Sequence, residues 1–223
     1  MKAATQNMPA DQSRSIPPLQ RLALAYAPAK SRAPLIALFA LDARLADIVR
    51  HAHEPMLAQL RLAWWREQLT GGSGGPASGD PLLALLREWP GQGAALAGLA
   101  DGWEAMTGPP PLPSSAFLAL AEARGQGFAA LADSPDQAAI ALRMGRAWAL
   151  TDIAAHLSDA RERETVLALV RTQDWRWQRL PRKLRPLAVL HGLAARTDWL
   201  KNESVALSPM ALLAAIRIGI TGR

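Results

Sequence analysis

The stretch that most restricts this chain is residues 34–69, an apolar run with a helical period that is cut once, at Pro55. Leu38, Leu41, Leu45, Ile48 and Val49 recur at helical spacing, and beyond the proline Leu57, Leu60, Trp64 and Leu69 resume it. Residues at i, i+3, i+4 and i+7 share one face of a helix, so the spacing predicts two helices, each with that face to bury. Proline fixes φ and lacks an N–H, so Pro55 turns one rod into a hinged pair.

The rest of the chain extends the helical reading. Its 223 residues are half hydrophobic, enough for one substantial core. Alanine and leucine dominate, β-branched residues are sparse, and aromatics are few apart from eight tryptophans. The expectation is a single all-α domain over residues 19–223, preceded by a polar, disordered lead of residues 1–18. Within it, residues 19–27 form a first helix and Pro34 sits in the first turn of the next. Residues 71–79, rich in glycine, are a flexible connector, and Asp80 caps a helix opened by Pro81. Residues 93–106 form another helix, and the proline-rich residues 108–113 a stiff connector. Ser114 or Ser115 caps a helix in which Gly125 and Gly127 mark a break or a close approach of backbones. Ser134 and Pro135 start a helix running to residue 160, and residues 164–170 continue helically. A late helix reaches about residue 201, and Ser208 with Pro209 starts the last.

Several function classes drop out early. The chain has no cysteine, which removes disulfides, thiolate metal sites and cysteine nucleophiles, and fits a cytoplasmic protein. No uninterrupted apolar run of about 18 residues is present, and the first residues lack the apolar core of a secretory signal. A formal charge of +6 suits anionic partners: nucleic acid, acidic headgroups or phosphorylated ligands.

Two helices repeat one polar spacing. Asp47, His51 and Glu54 stand at i, i+4 and i+7, and so do Asp152, His156 and Asp159. If the helices faced one another, these six residues would form a mixed carboxylate–histidine metal site, with Asp47, Asp152 and His156 as the catalytic candidates. The simpler reading makes them solvated polar faces, with Glu54 at a helix end before Pro55. His191, in an apolar helix, reads as a partly buried and satisfied histidine, and His53 as exposed. Trp64 and Trp65 diverge by about 100° on a helix; Trp64 is expected in the core and Trp65 at a rim, although either one would suit an isoprenoid pocket together with Arg66. Trp175, Arg176, Trp177, Arg179, Arg182, Lys183 and Arg185 interleave indole with cations, a pattern shared by nucleic-acid binders and membrane-surface segments, and also by ordinary solvated faces.

Four stretches resemble the squalene/phytoene synthase family of all-helical head-to-head prenyltransferases. They are Leu38 to Leu41 with Asp47; Glu54-Pro55-Met56-Leu57 with Arg61-Leu62-Ala63-Trp64-Trp65-Arg66-Glu67; Met144 to Ile153; and Leu180-Pro181 to Leu190. The resemblance implies an isoprenoid-synthase-like bundle around a central cavity. It also implies Arg50, Arg61, Trp64, Trp65 and Arg146 as ligand-binding residues, and a prenyl diphosphate or lipid as ligand. Family enzymes hold Mg²⁺ and diphosphate between two aspartate-rich motifs, because hard cations need several carboxylate oxygens. This chain departs from both. Ala46-Asp47-Ile48-Val49-Arg50 keeps one carboxylate of the first motif, and Ala155-His156-Leu157-Ser158-Asp159-Ala160 replaces the second. Mg²⁺ is therefore implied only if the chain is catalytic.

Three readings stay open. One is a degenerate relative, near the branch that includes the mitochondrial complex I assembly factor, working as an accessory, assembly or prenyl-lipid-binding protein. Another is an active prenyltransferase with a shifted metal site. The last is a basic module for membrane surfaces or nucleic acid, of which nucleic acid is disfavoured for want of a recognisable module. The resemblance favours a peripheral position at the inner face of a membrane, or a protein partner.

Overall fold

A computed structural model describes residues 15–52, 54–71, 80–89, 93–196 and 209–222. Among these the chain is all-α: α1 (Pro18–Leu24), α2 (Ala29–Arg50), α3 (Pro55–Thr70), α4 (Pro81–Arg87), α5 (Gly93–Glu104), α6 (Ser114–Ala129), α7 (Pro135–His156), α8 (Ala160–Arg171), α9 (Arg185–Ala194) and α10 (Pro209–Thr221). Short 3₁₀ turns, Ala105–Thr107 and Arg182–Leu184, follow α5 and precede α9. Most of the expected disordered lead, the glycine-rich connector beyond Gly71, His53 and Ser208 lie outside the described residues.

Start signals in the sequence act as read. Asp80 Oδ1 accepts from the Leu82 N–H at 2.8 Å, and Ser134 Oγ from the Gln137 N–H at 3.3 Å. Other boundaries moved. Residues 29–33 are the first turns of α2 instead of a linker, so Pro34 lies inside the helix and removes one rung near its start. The helix from Pro135 ends at His156, because Asp159 caps a new one: its Oδ1 accepts from the Arg161 and Glu162 N–H groups, both at 2.9 Å. Neither Ser114 nor Ser115 caps α6, which begins after Pro113 without a side-chain cap.

The largest helix–helix interface is α6 on α7. Gly125 does not break α6; it lets the backbones meet. A Cβ there would lie 2.8 Å from the Leu142 carbonyl oxygen, and one on Gly145 would lie 2.9 Å from Gly125 Cα. The core at this crossing is aromatic. Phe39 of α2, Phe128 of α6 and Trp148 of α7 contact one another edge-on, with ring centroids 5.7–6.3 Å apart, worth about 0.5–1.5 kcal/mol per pair beyond area burial.

One expected face is turned over. Leu57, Leu60 and Trp64 should have been the buried stripe of α3, yet they are 50%, 62% and 43% exposed, along with Met56 at 68%. Ala58, Leu62 and Trp65 are buried instead, against α5 and α2. The reversed assignment of the two tryptophans follows from the same rotation. In this orientation Arg66 pairs with Asp101 (2.8 Å) and Glu104 (3.0 Å) across the partly exposed edge between α3 and α5. Met210, Leu213, Ile216 and Ile220 form a second exposed apolar stripe along α10.

Candidate functional site

The close approach of α6 and α7 places Arg124, the neighbour of Gly125, in the interior between α2, α5 and α7. Its guanidinium takes up two carboxylates. Nε and Nη2 form a fork on Asp42 of α2, at 3.0 and 2.9 Å, while Nη1 donates to Asp152 of α7 at 2.9 Å. Trp103 of α5 donates its indole N–H to Asp42 at 2.8 Å. The cation also lies over the faces of Trp103 and Trp148, 5.3 and 5.7 Å from the ring centroids. All three charged side chains are nearly sealed: 7% of Arg124 and 12% of each aspartate is exposed.

Burial alone would lower the Arg124 pKa, but Asp42 and Asp152 more than offset it and the net direction is up. The cation is therefore permanent, and every donor direction it uses is answered. Asp42 and Arg124 carried no expectation from sequence. The signal was there: each is a charge set among buried apolar neighbours on its own helix, Asp42 with Leu38 and Leu45, Arg124 with Leu120 and Phe128.

Of the expected candidates, Asp152 alone belongs to this network. Asp47 pairs with Arg50 on the surface. His51 is the residue that ends α2, and Glu54 is extended (φ −127°, ψ 128°) ahead of α3, so Asp47, His51 and Glu54 share no helix face. Asp159 is committed to its cap. His156 is exposed, its Nδ1 2.7 Å from the Asp152 carbonyl oxygen and 3.9 Å from that residue's carboxylate. Among the described residues no three His, Cys, Asp or Glu side chains gather in a metal-holding group. Arg61 is exposed, and Arg146 bonds Gln173 at 3.1 Å and pairs with Glu122 at 3.6 Å. The structure does not bring these two arginines to the Arg124 network.

A cavity of about 220 Å³ adjoins the Asp152 end of the network, lined by Leu19, Gln20, Trp148, Thr151, Asp152 and His156 among others. That is smaller than the roughly 300 Å³ at which small-molecule pockets begin.

Residues 20–107 match the squalene/phytoene synthase family. No curated protein matches the chain, and no solved structure does. The match falls on α1 to α5, the part that carries Asp42, Trp103 and the segment from Glu54 to Glu67, and the all-α fold of the described residues is isoprenoid-synthase-like. Arg124 and Asp152 lie beyond the matched stretch.

Squalene/phytoene synthase chemistry implies Mg²⁺, and the described residues do not fit it. The two interior carboxylates that face each other are bound by a guanidinium, and the remaining candidates point elsewhere. The segment from Glu54 to Glu67, the most specific match in sequence, does structural work: Trp65 packs inside, Arg66 bridges to α5, and Gln59 Nε2 donates to Thr107 Oγ1 at 3.1 Å.

His191 is fully buried, contrary to expectation, and neither ring nitrogen has a hydrogen-bond partner. It lies between Trp175 and Trp177, with centroids 5.2 and 6.1 Å away. Burial, reinforced by Arg143 and opposed by Asp174, lowers its pKa to about 4, so the imidazole is neutral at pH 7. No helix of the described residues is long and apolar enough to cross a membrane.

Proposed function

We propose that this squalene/phytoene synthase relative is a non-catalytic accessory protein. The observation that carries the reading is Arg124. Ionising a prenyl diphosphate in this family requires carboxylates on facing helices that are free to take a divalent cation. Here Asp42 and Asp152 face each other, but a guanidinium already supplies the positive charge between them. Displacing it would leave a buried cation unpaired, at a cost of several kcal/mol. The network therefore acts as a lock that ties α2, α6 and α7 together.

The surface supports an accessory role. The apolar stripe of α3, with Met56, Leu57, Leu60 and Trp64, is exposed over about two turns. Such a stripe suits association with a partner, and a peripheral location at a membrane face is consistent with it.

Incubating concentrated protein with farnesyl or geranylgeranyl diphosphate and Mg²⁺ is expected to release no diphosphate above the blank. Release that Asp152→Ala abolishes would establish a working head-to-head prenyltransferase and end this reading.

A further inference from the structure

The basic segment before α9 divides into cations with partners and cations without. Asp174 takes Arg176 in a fork at 2.8–3.1 Å, and Lys183 pairs with Asp133. Among the described residues, Arg179, Arg182 and Arg185, spaced three apart, form no ion pair and donate no side-chain hydrogen bond. Arg179 and Arg182 are exposed, whereas Arg185, the first residue of α9, is only 5% exposed.

Arg185 is buried at a place built for a guanidinium. Its head lies against the backbone of Gly222 just past α10: a Cβ on Gly222 would fall 1.7 Å from Nη1 and 2.7 Å from Cζ. Gly222 is in the left-handed region (φ +81°) and its N–H donates to the Ile218 carbonyl at 2.8 Å, so the backbone there is fixed. The Arg185 nitrogens are not among the fully sealed, unbonded polar atoms, so the head keeps a narrow contact with solvent. Burial, then Arg179, then Arg182 all push its pKa down, and no neighbouring carboxylate pushes back.

The Arg185 guanidinium has only a narrow contact with solvent and no acceptor among the described residues, and with two further cations beside it an anion would complete it. The fork geometry matches phosphate oxygens, and three positive charges suit a group with more than one negative charge. We propose that Arg179, Arg182 and Arg185 form a binding site for a phosphate-bearing anion, with Arg185 as its buried anchor. The site is separate from the Arg124 network and does not rest on the non-catalytic reading. The shared chemistry is a phosphate group, offered either by a soluble diphosphate or by an acidic lipid headgroup.

Calorimetric titration of the full chain with inorganic diphosphate, without Mg²⁺ and at low salt, tests the soluble source. Flotation with phosphatidylglycerol-containing against pure phosphatidylcholine vesicles tests the lipid source. Saturable binding in either arm is expected, weakened at least about tenfold by Arg185→Met and less by Arg185→Lys. The double variant Arg179→Ala/Arg182→Ala, confined to exposed side chains, should also weaken binding while melting like the parent, which covers the case in which Arg185→Met does not fold. Absence of binding in both arms overturns the proposal, as does binding that both the Arg185 and the double variants leave unchanged.

Discussion

Arg124 and Arg185 are both more than nine-tenths buried, and they are opposites. Arg124 meets a forked carboxylate, a second carboxylate and two indole faces; Arg185 meets the backbone of Gly222, with like charges nearby. A buried cation whose every donor is answered by its own fold is an architectural part. One left unanswered is an opening for something else. The contrast separates, among the described residues, a carboxylate pair already closed by its own cation from a buried cation given no carboxylate.

The largest effect expected from this comparison is on the paired side. Arg124→Ala leaves Asp42 and Asp152 buried without their counter-charge and should cost about 3–5 kcal/mol, read by denaturant unfolding. A loss under about 1 kcal/mol would mean the network is not the lock described here.

His191 sharpens the comparison, because it too is buried without a partner but can shed its charge. Its pKa is about 4 in the folded protein against 6.5 in an unfolded chain. Between those values the unfolded state binds more protons, so stability rises with pH through the window and falls as pH drops from 6.5 towards 4. The loss from this residue should approach about 3 kcal/mol at the acid end. His191→Leu should flatten that part of the pH–stability curve, and an unchanged slope would show that other groups cause it.

Arg185→Met should change stability by less than about 1 kcal/mol, or raise it, because it removes an unanswered buried charge. A loss as large as that expected for Arg124→Ala would make Arg185 a structural residue. The smallest effect belongs to Asp47→Ala: an exposed pair with Arg50 contributes at most about 0.5 kcal/mol. A larger change in thermal melting would give Asp47 a role its surroundings do not show.

Much of the fold was legible before the coordinates. The cap signals at Asp80 and Ser134 and the apolar steps of Leu38, Leu41 and Leu45 are local, and local rules read them correctly. The errors came from long-range choices. Periodicity finds an apolar stripe on α3 but not which side meets the core, and the packing of Ala58, Leu62 and Trp65 against α5 and α2 decided it. The spacing of Asp47, His51 and Glu54 assumed an unbroken helix, and α2 ends at Arg50. Asp42 was hidden because it sits on an apolar face, where composition reads leucine and discounts a lone carboxylate. Its partners Trp103 and Arg124 come 61 and 82 residues later, and Asp152, the second carboxylate on Arg124, lies 28 residues beyond that. Only the crossing at Gly125 and Gly145 brings them together.

If Arg124 fills the role a divalent cation would take between Asp42 and Asp152, Mn²⁺ titration of the wild-type chain, followed by electron paramagnetic resonance, will find no site there. The free-ion signal should rise in proportion to metal added, with no saturable component. A saturable component that either Asp42→Asn or Asp152→Asn removes would contradict the account.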